Sequence, residues 1–538
     1  MGTSDGQGRI NPAKAATPAR PSPAEGAASR RGQWLVLAAA LLGWLFDGAE
    51  QGVFSLVGRP SLLDLLGSAD RVGTWFGAVT AGFLVGAATG GVLFGWLGDR
   101  IGRVRAMTLS VLTYALFTGL CGLSQAPVQL AVLRFVAALG MGGEWALGVA
   151  LVMEVWPNRS RAVTAGLIGA AANVGYLLVG AVSLALLPHL AAVGRALSAV
   201  GLPEGWVEAL MRHQGWRLMM LLGTAPALLT FFFRLFVPES ERWQQQRRHG
   251  ATTGWATRDL LAVLVGVLGP ALIIYLWATD ETRMGERVIR HGLGPRLAGT
   301  ALGLAVALAG YTFPVIRYLQ RTGAAAGDDG GAWRRVVGRM VLAAGLAGVA
   351  LLGTWGSAQW VPSWADRLTE GAQRAKEHAQ IWLAVGAIVG TLLAALAGDW
   401  FGRRLSYCLL CLGSLGSVWL LFQANHDYGP LFLPAAFLLG LFTASFYGWL
   451  PLYLPELFPT KMRATGQGFS YNFGRILAAI GALQTGNLMG LFRNDVEFLG
   501  RTWQGGYPLA CSVMGLIYVG GAALIWLAPE TRGRPLPE

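Results

Sequence analysis

The chain has 538 residues, of which 54% are hydrophobic and 13% charged, with a mean hydropathy of +0.48. A soluble domain carries about a quarter charged residues, so this composition excludes one and points to a bilayer. The formal charge of +13 does not argue for nucleic acid, because the arginines sit in short loops between apolar runs, where retention of positive charge in the cytoplasm accounts for them.

Residues 1–32 are rich in Ala, Pro, Gly and Ser, lack hydrophobic periodicity and end in Arg30-Arg31, the pattern of a disordered cytoplasmic tail. The run from Gln33 to about Val57 is too long for a signal-peptide core and has no clear cleavage site, so it reads as a first membrane span. A span needs about 20 apolar residues. Fourteen stretches qualify: 34–57, 74–97, 106–123, 128–154, 162–187, 216–236, 260–278, 297–317, 337–357, 379–397, 405–423, 430–453, 467–490 and 507–527. Cys121, Cys408, Cys411 and Cys511 all fall in these apolar stretches, so neither a disulfide framework nor a metal-ligand cluster is expected, and no cofactor motif appears.

Three short patterns occur twice in the same order. Gly98-Asp99-Arg100-Ile101-Gly102-Arg103 returns 300 positions on as Gly398-Asp399-Trp400-Phe401-Gly402-Arg403. The stretch from Glu154 through Pro157 to Arg161 returns as Glu456 through Pro459 to Arg463, and Pro238-Glu239-Ser240 returns as Pro529-Glu530-Thr531. Repeats of this kind in a hydrophobic chain imply two homologous halves and mark secondary transporters, with a substrate site near mid-membrane between the halves. Eight spans lie between the twin loops, an even number, so both loops face the same side. A six-helix repeat needs only six, which makes the pair at 260–278 and 297–317 an inserted central hairpin.

These residues carry a family resemblance. The twin loops and the Pro-Glu-Ser and Pro-Glu-Thr endings resemble the major facilitator superfamily. The stretch from Arg134 to Trp145, with Gly140, Gly142, Gly143 and Glu144, and the stretch from Pro455 to Gly466 resemble its metabolite and sialate:proton symporter branches. The resemblance runs from about Gln33 to Arg534 apart from the centre. It implies an all-α membrane protein with the major facilitator fold, two pseudo-symmetric six-helix bundles plus the central hairpin, an addition similar to that of the sialate branch. The expected organisation is a tail at 1–32, an N-terminal bundle at 33–238, central cytoplasmic segments with the hairpin at 239–336, a C-terminal bundle at 337–530 and a cytoplasmic tail at 531–538. Arginine-rich loops alternate with poorer or balanced ones such as Asp366-Arg367 and Lys376-Glu377, although Arg283, Arg287 and Arg290 are an exception; both termini are therefore expected in the cytoplasm, at an inner (plasma) membrane.

A charged side chain at mid-bilayer costs about 2.5 to 3.5 kcal/mol on insertion scales, so in-span charges face a cavity or one another. Five stand out: Asp47 and Glu50 in the first span, Arg134 and Glu144 in the fourth, and Arg475 in the thirteenth. Asp47 and Glu50 are three apart, on one side of a helix; Arg134 and Glu144 are separated by about 15 Å of helix, so contact between them is not implied. Asp47 or Glu144 is the candidate proton carrier, since burial favours the protonated carboxyl and a nearby arginine drives release. The resemblance places a first-span acid beside a fourth-span arginine, making Arg134 the switch partner of Asp47; a static ion pair is the alternative. Arg475 is the candidate clamp for a substrate carboxylate, or else an arginine reaching the interface. Asn173, Gln359, Trp360, Tyr447, Trp449 and Asn472 are candidate substrate contacts, with interfacial belt or helix packing the alternative for the aromatics.

A cytoplasmic gate is expected from Gly98, Asp99, Arg100, Gly102 and Arg103 with Asp399, Gly402 and Arg403, joined by Glu154, Arg161, Glu239, Glu456 and Arg463. Glycine allows the tight turn, and the charges either pair across the halves or form surface salt bridges. The expected function is secondary transport of a small anionic metabolite, a carboxylate or acidic sugar, by alternating access with proton symport. No phosphate-cradling Gly-rich motif supports an ATP-driven pump or an enzyme. A neutral-sugar carrier and a transporter-derived solute sensor are the alternatives. The expected partners are the solute, protons and lipid, with a monomeric chain.

Overall fold

The computed structural model describes residues 2, 30–155, 161–228, 257–284, 287–324, 331–372, 374–459, 463–498, 500–534 and 537. The first half contributes α1 (Arg30–Leu66), α2 (Val72–Ile101), α3 (Arg103–Cys121), α4 (Pro127–Val155), α5 (Arg161–Leu186), α6 (Leu190–Ala199) and α7 (Glu204–Leu222). The centre contributes α8 (Thr257–Ala278) and α9 (Leu293–Ala324). The second half contributes α10 (Gly331–Gly356), α11 (Val361–Leu368), α12 (Ala375–Phe401), α13 (Arg403–Ala424), α14 (Phe432–Thr443), α15 (Phe446–Tyr453), α16 (Arg463–Leu491), α17 (Tyr507–Gly515) and α18 (Ile517–Leu524).

Each expected span coincides with a helix, the twelfth with α14 and α15 together and the last with α17 and α18; the sixth starts in α7 and passes out of the described residues after residue 228. Among the described residues, ten helices are long and apolar enough to cross a membrane by length and composition. The helices α1, α4 and α16, which carry the in-span charges, are not among those ten. Two short antiparallel hairpins add strand to the connections: β1 (Glu281–Met284) with β2 (Arg287–Arg290) between α8 and α9, and β3 (Val496–Phe498) with β4 (Arg501–Trp503) before α17.

The twin loops have one geometry. Gly102 (φ 110°, ψ 152°) and Gly402 (φ 89°, ψ 166°) each turn the chain between two helices at a positive φ that side chains disfavour. The halves then meet along two seams, α2 against α16 and α5 against α12. Helices approach closely where glycine leaves room: a Cβ on Gly48 of α1 would fall 1.7 Å from the Ala172 carbonyl oxygen of α5, and one on Gly175 would fall 1.7 Å from that of Leu45. The inserted pair α8 and α9 packs on itself and leans on α2 and α16, along one seam. A buried 2.6 Å hydrogen bond between the hydroxyls of Thr89 and Tyr311 fixes it there.

Two features have no counterpart in the hydropathy pattern. The helix α6 and the first half of α7 fill the connection between the fifth and sixth spans. Within α7 three successive residues, His213, Gln214 and Gly215, take positive φ values of 47°, 65° and 68°, which breaks the helix.

Candidate functional site

A cavity of about 120 Å³ opens between the halves at mid-chain of the helices. From the first half it is lined by Trp44, Asp47 and Gln51 of α1 and by Asn173 and Tyr176 of α5; from the second by Thr354, Trp355, Gln359, Thr443, Tyr447, Tyr471 and Arg475, among others. The close crossing of α1 on α5 brings Asp47 and Asn173 to one wall. Asp47 is 3% exposed, and its Oδ1 accepts no hydrogen bond among the described residues. Arg475 reaches across the seam: its Nη1 donates to the Ala87 carbonyl of α2 at 3.3 Å and to Asn472 Oδ1 at 3.5 Å, and its guanidinium lies over the Tyr471 ring at 4.9 Å. Bonds at the long end of the range leave an arginine fork able to exchange them for a bidentate carboxylate.

Arg134 meets Glu50, not Asp47. Its Nη1 donates to Glu50 Oε1, which also accepts from Thr118 at 3.0 Å, and its guanidinium is held between the rings of Phe54 (4.8 Å) and Phe83 (4.5 Å). The reason is angular. Three residues make about 300° of helix turn, so Glu50 points about 60° away from Asp47, towards α3 and α4 rather than the cavity. Glu144 lies against α1 one turn before Asp47, where Gly43 makes room: a Cβ there would be 1.9 Å from Glu144 Oε1. The Tyr114 hydroxyl lies beside the Glu144 carboxylate, and neither Glu144 oxygen makes a well-formed hydrogen bond among the described residues.

Of the expected substrate contacts, Asn173, Gln359, Tyr447 and Arg475 line the cavity and three do not. Trp360 is packed against Phe76 (4.5 Å) and Tyr507 (6.1 Å), Trp449 against Tyr407 (4.8 Å) and Tyr453 (4.7 Å), and Asn472 against Gly91 of α2. Sequence reasoning passed over Tyr176 and Tyr471. The signal was present, since Tyr176 follows Asn173 by three and Tyr471 precedes Arg475 by four, spacings that share a helix face.

At the twin-loop end, the described pairs of the second copy stay within their own half. Arg403 donates to Asp399 (2.8 Å) and, through two nitrogens, to Glu456 (2.9 and 2.7 Å), which also accepts from Thr531 (2.6 Å). Glu530 accepts the backbone N–H groups of Arg403 and Arg404 at 3.0 Å each and so caps α13. Partial burial acts to raise its carboxyl pKa, but these bonds and those from Arg532 and Thr531 outweigh it and hold the pKa below its ordinary value. In the first copy Arg100 lies over the Trp96 ring at 4.3 Å. The side chains of Asp99, Arg103, Glu154, Arg161 and Arg463, and Glu239 as a whole, lie outside the described residues.

The opposite end is joined across the halves. Arg59 of α1 pairs with Asp366 of α11 at 2.8 Å, Ser183 of α5 donates to Glu377 of α12 at 3.1 Å, Lys376 donates to Gln214 of the broken α7, and Gln380 donates to the Tyr176 carbonyl at 2.9 Å. Asp366, Lys376 and Glu377, which read in the sequence as balanced loop charges, are all buried here.

Two repeated helical halves around a polar cavity define a membrane transporter of the major facilitator type. The family model described as "Sugar (and other) transporter" matches residues 52–259 and 370–536, and the chain belongs to that family. It is a metabolite transporter and not an enzyme. It is 27% identical over 459 residues to the cis,cis-muconate transport protein of Acinetobacter baylyi, covering 84% of this chain and 88% of that one. It is also 27% identical over 217 residues to the sialic acid transporter NanX of Escherichia coli, covering 40% of this chain and 47% of that one. In fold it is similar to the E. coli xylose transporter XylE in its inward-open conformation, with a TM-score of 0.58, 18% identity and coverage of 94% and 98%.

Proposed function

We propose that the chain is a proton symporter for a small planar carboxylate, with Arg475 as the carboxylate clamp and Asp47 as the proton carrier. The observation that carries this reading is that, among the described residues, Asp47 and Arg475 are the two charged side chains lining the central cavity, one from each half. A bare charge is costly to carry through a closed, dry cavity. With neither ligand bound the opposite charges of Asp47 and Arg475 offset one another across the cavity, and with both bound the anion neutralises Arg475 and the proton neutralises Asp47. One ligand alone strands a net charge, so the halves rock freely only with both or neither bound, which couples the two fluxes. Trp44, Trp355, Tyr447 and Tyr471 give flat surfaces for a conjugated or ring-shaped acid. Muconate and sialic acid, named in the relatives, are both organic acids.

In this reading the twin loops lie at the cytoplasmic face of the plasma membrane, with both termini, and form the inner gate together with Glu456, Arg403 and Glu530. The cross-half bonds at the other end close the outer face, and the chain works as a monomer. That the buried Glu144 carboxylate has the Tyr114 hydroxyl beside it and no well-formed hydrogen bond among the described residues favours a second reading, in which Glu144 accepts the proton.

The test is uptake into proteoliposomes driven by an inward proton gradient, with benzoate, muconate, sialic acid and glucose as cargo. One acid should accumulate only under the gradient, Asp47→Asn should abolish accumulation while sparing exchange, and Arg475→Ala should abolish both. Gradient-driven accumulation retained in Asp47→Asn and lost in Glu144→Gln would move the proton to Glu144. Accumulation of glucose alone would overturn the anion reading.

A further inference from the structure

A second cavity, of about 330 Å³, lies at the outer end of the seam between α2 and α16, away from Asp47 and Arg475. Three arginines on three different elements line it: Arg59 from the end of α1, Arg367 from α11, and Arg493 just after α16. Its acid is Asp70. Arg59 is held on one side by a single bond to Asp366. Arg367 lies over the Tyr507 ring at 5.7 Å, and neither Arg367 nor Arg493 has an ion-pair partner among the described residues. Close to the cavity the seam is tight, since a Cβ on Gly486 would sit 2.3 Å from the Gly73 carbonyl oxygen, so the pocket is separated from the central site by packed backbone.

We infer that this cavity is an outer capture site for a small organic carboxylate, which the guanidinium groups of Arg367 and Arg493 bind first and Arg59 then joins by exchanging Asp366 for the incoming anion. Guanidinium forks match carboxylate geometry, and a concave cluster of like charge raises the local concentration of a counter-ion. The exchange at Arg59 ties arrival to release of one of the bonds that hold the outer face shut. The inference rests on the proposed carboxylate specificity.

The experiment uses the full chain in detergent and 4-fluorobenzoate as probe, read by fluorine NMR titration, with 4-fluorobenzamide as the neutral control. Arg475→Ala is expected to remove the central site and leave one saturable site for the acid and none for the amide. Adding Arg367→Gln and Arg493→Gln should weaken that residual site about tenfold or more, in line with the loss of two charge-assisted contacts. Lysine at both positions should restore most of it and also shows that the glutamine variant lost charge rather than fold. A residual site that persists in the glutamine variant, or the absence of any residual site in Arg475→Ala, overturns the capture site. Failure of the carboxylate reading itself shows separately, as parent protein that binds the amide as well as the acid.

Discussion

The pairing of Arg134 with Glu50 can be tested as a thermodynamic cycle, because it assigns the fourth-span arginine to a partner other than the one expected from the sequence. Arg134 is 1% and Glu50 2% exposed. Removing one member of such a buried pair costs about 3–5 kcal/mol, since it strands the other charge. The rings of Phe54 and Phe83 return about 1 kcal/mol to a stranded guanidinium, so Glu50→Leu should cost about 2–4 kcal/mol. Arg134→Met should cost a similar amount by stranding the carboxylate. The double variant replaces the pair with apolar side chains of similar size and should come back to within about 1 kcal/mol of the parent, giving a coupling energy of about 3 kcal/mol or more, the sum of the two single losses less at most about 1. The parallel cycle between Asp47→Asn and Arg134→Met should be additive within about 0.5 kcal/mol. The assay is reversible unfolding in mixed micelles titrated with denaturing detergent, followed by tryptophan fluorescence. A larger coupling in the Asp47 cycle than in the Glu50 cycle would refute the assignment. If the pair is a fastening between helices, the double variant also keeps gradient-driven uptake.

Three further outcomes follow from the geometry. Asp366→Asn removes the cross-half bond to Arg59; with Arg59 partly exposed this is worth about 1 kcal/mol, so a maleimide that cannot cross the membrane should label a cysteine placed at Ala358 about fivefold faster from the outer side, and an unchanged rate counts against the latch. Glu530→Gln weakens the cap on α13 by about 1 kcal/mol. Because the Glu530 carboxyl is held below its ordinary 4.5, its contribution is complete above about that pH and fades as pH falls through its lower folded value, so parent and variant should converge in thermal stability only below pH about 4.5, and a gap that persists undiminished at pH 3 contradicts the cap. Gly48→Ala pushes a methyl group into the Ala172 carbonyl and should cost about 1–3 kcal/mol or more; parent-like melting in detergent would show that α1 and α5 do not cross as closely as described.

The architecture was legible because its signals are local and repeated. Runs of about 20 apolar residues mark the spans, and the glycine of each twin loop marks a turn that the backbone makes at positive φ in both copies. What could not be read was direction. Asp47 and Glu50 share a side of α1, yet a difference of about 60° sends one to the cavity and the other to Arg134. Trp449 and Trp360 look like stacking surfaces in the sequence, but which face of a helix meets the cavity is set by neighbours far along the chain, here Tyr407 and Tyr453 for one and Phe76 and Tyr507 for the other. Lys376 and Glu377 read as solvated charges because nothing nearby in sequence announces Gln214 and Ser183, which come from the other half. The broken turn at His213 to Gly215 is equally silent, since only the last of the three is a residue that favours that conformation.

The inserted helices lie along the α2 and α16 seam, while among the described residues α5 and α12 have no such cover in their packing. The molecule therefore has a spine and a fore-edge. On the spine side two extra helices stand between the seam and the lipid, held by the Thr89 and Tyr311 hydroxyls, and any parting of the halves there must drag or slide past them. On the fore-edge side no described inserted helix stands over the seam. Rocking of the halves is then biased to swing widest at α5 and α12, and the thickness and fluidity of the surrounding bilayer should be felt by the transport cycle mainly through that one edge.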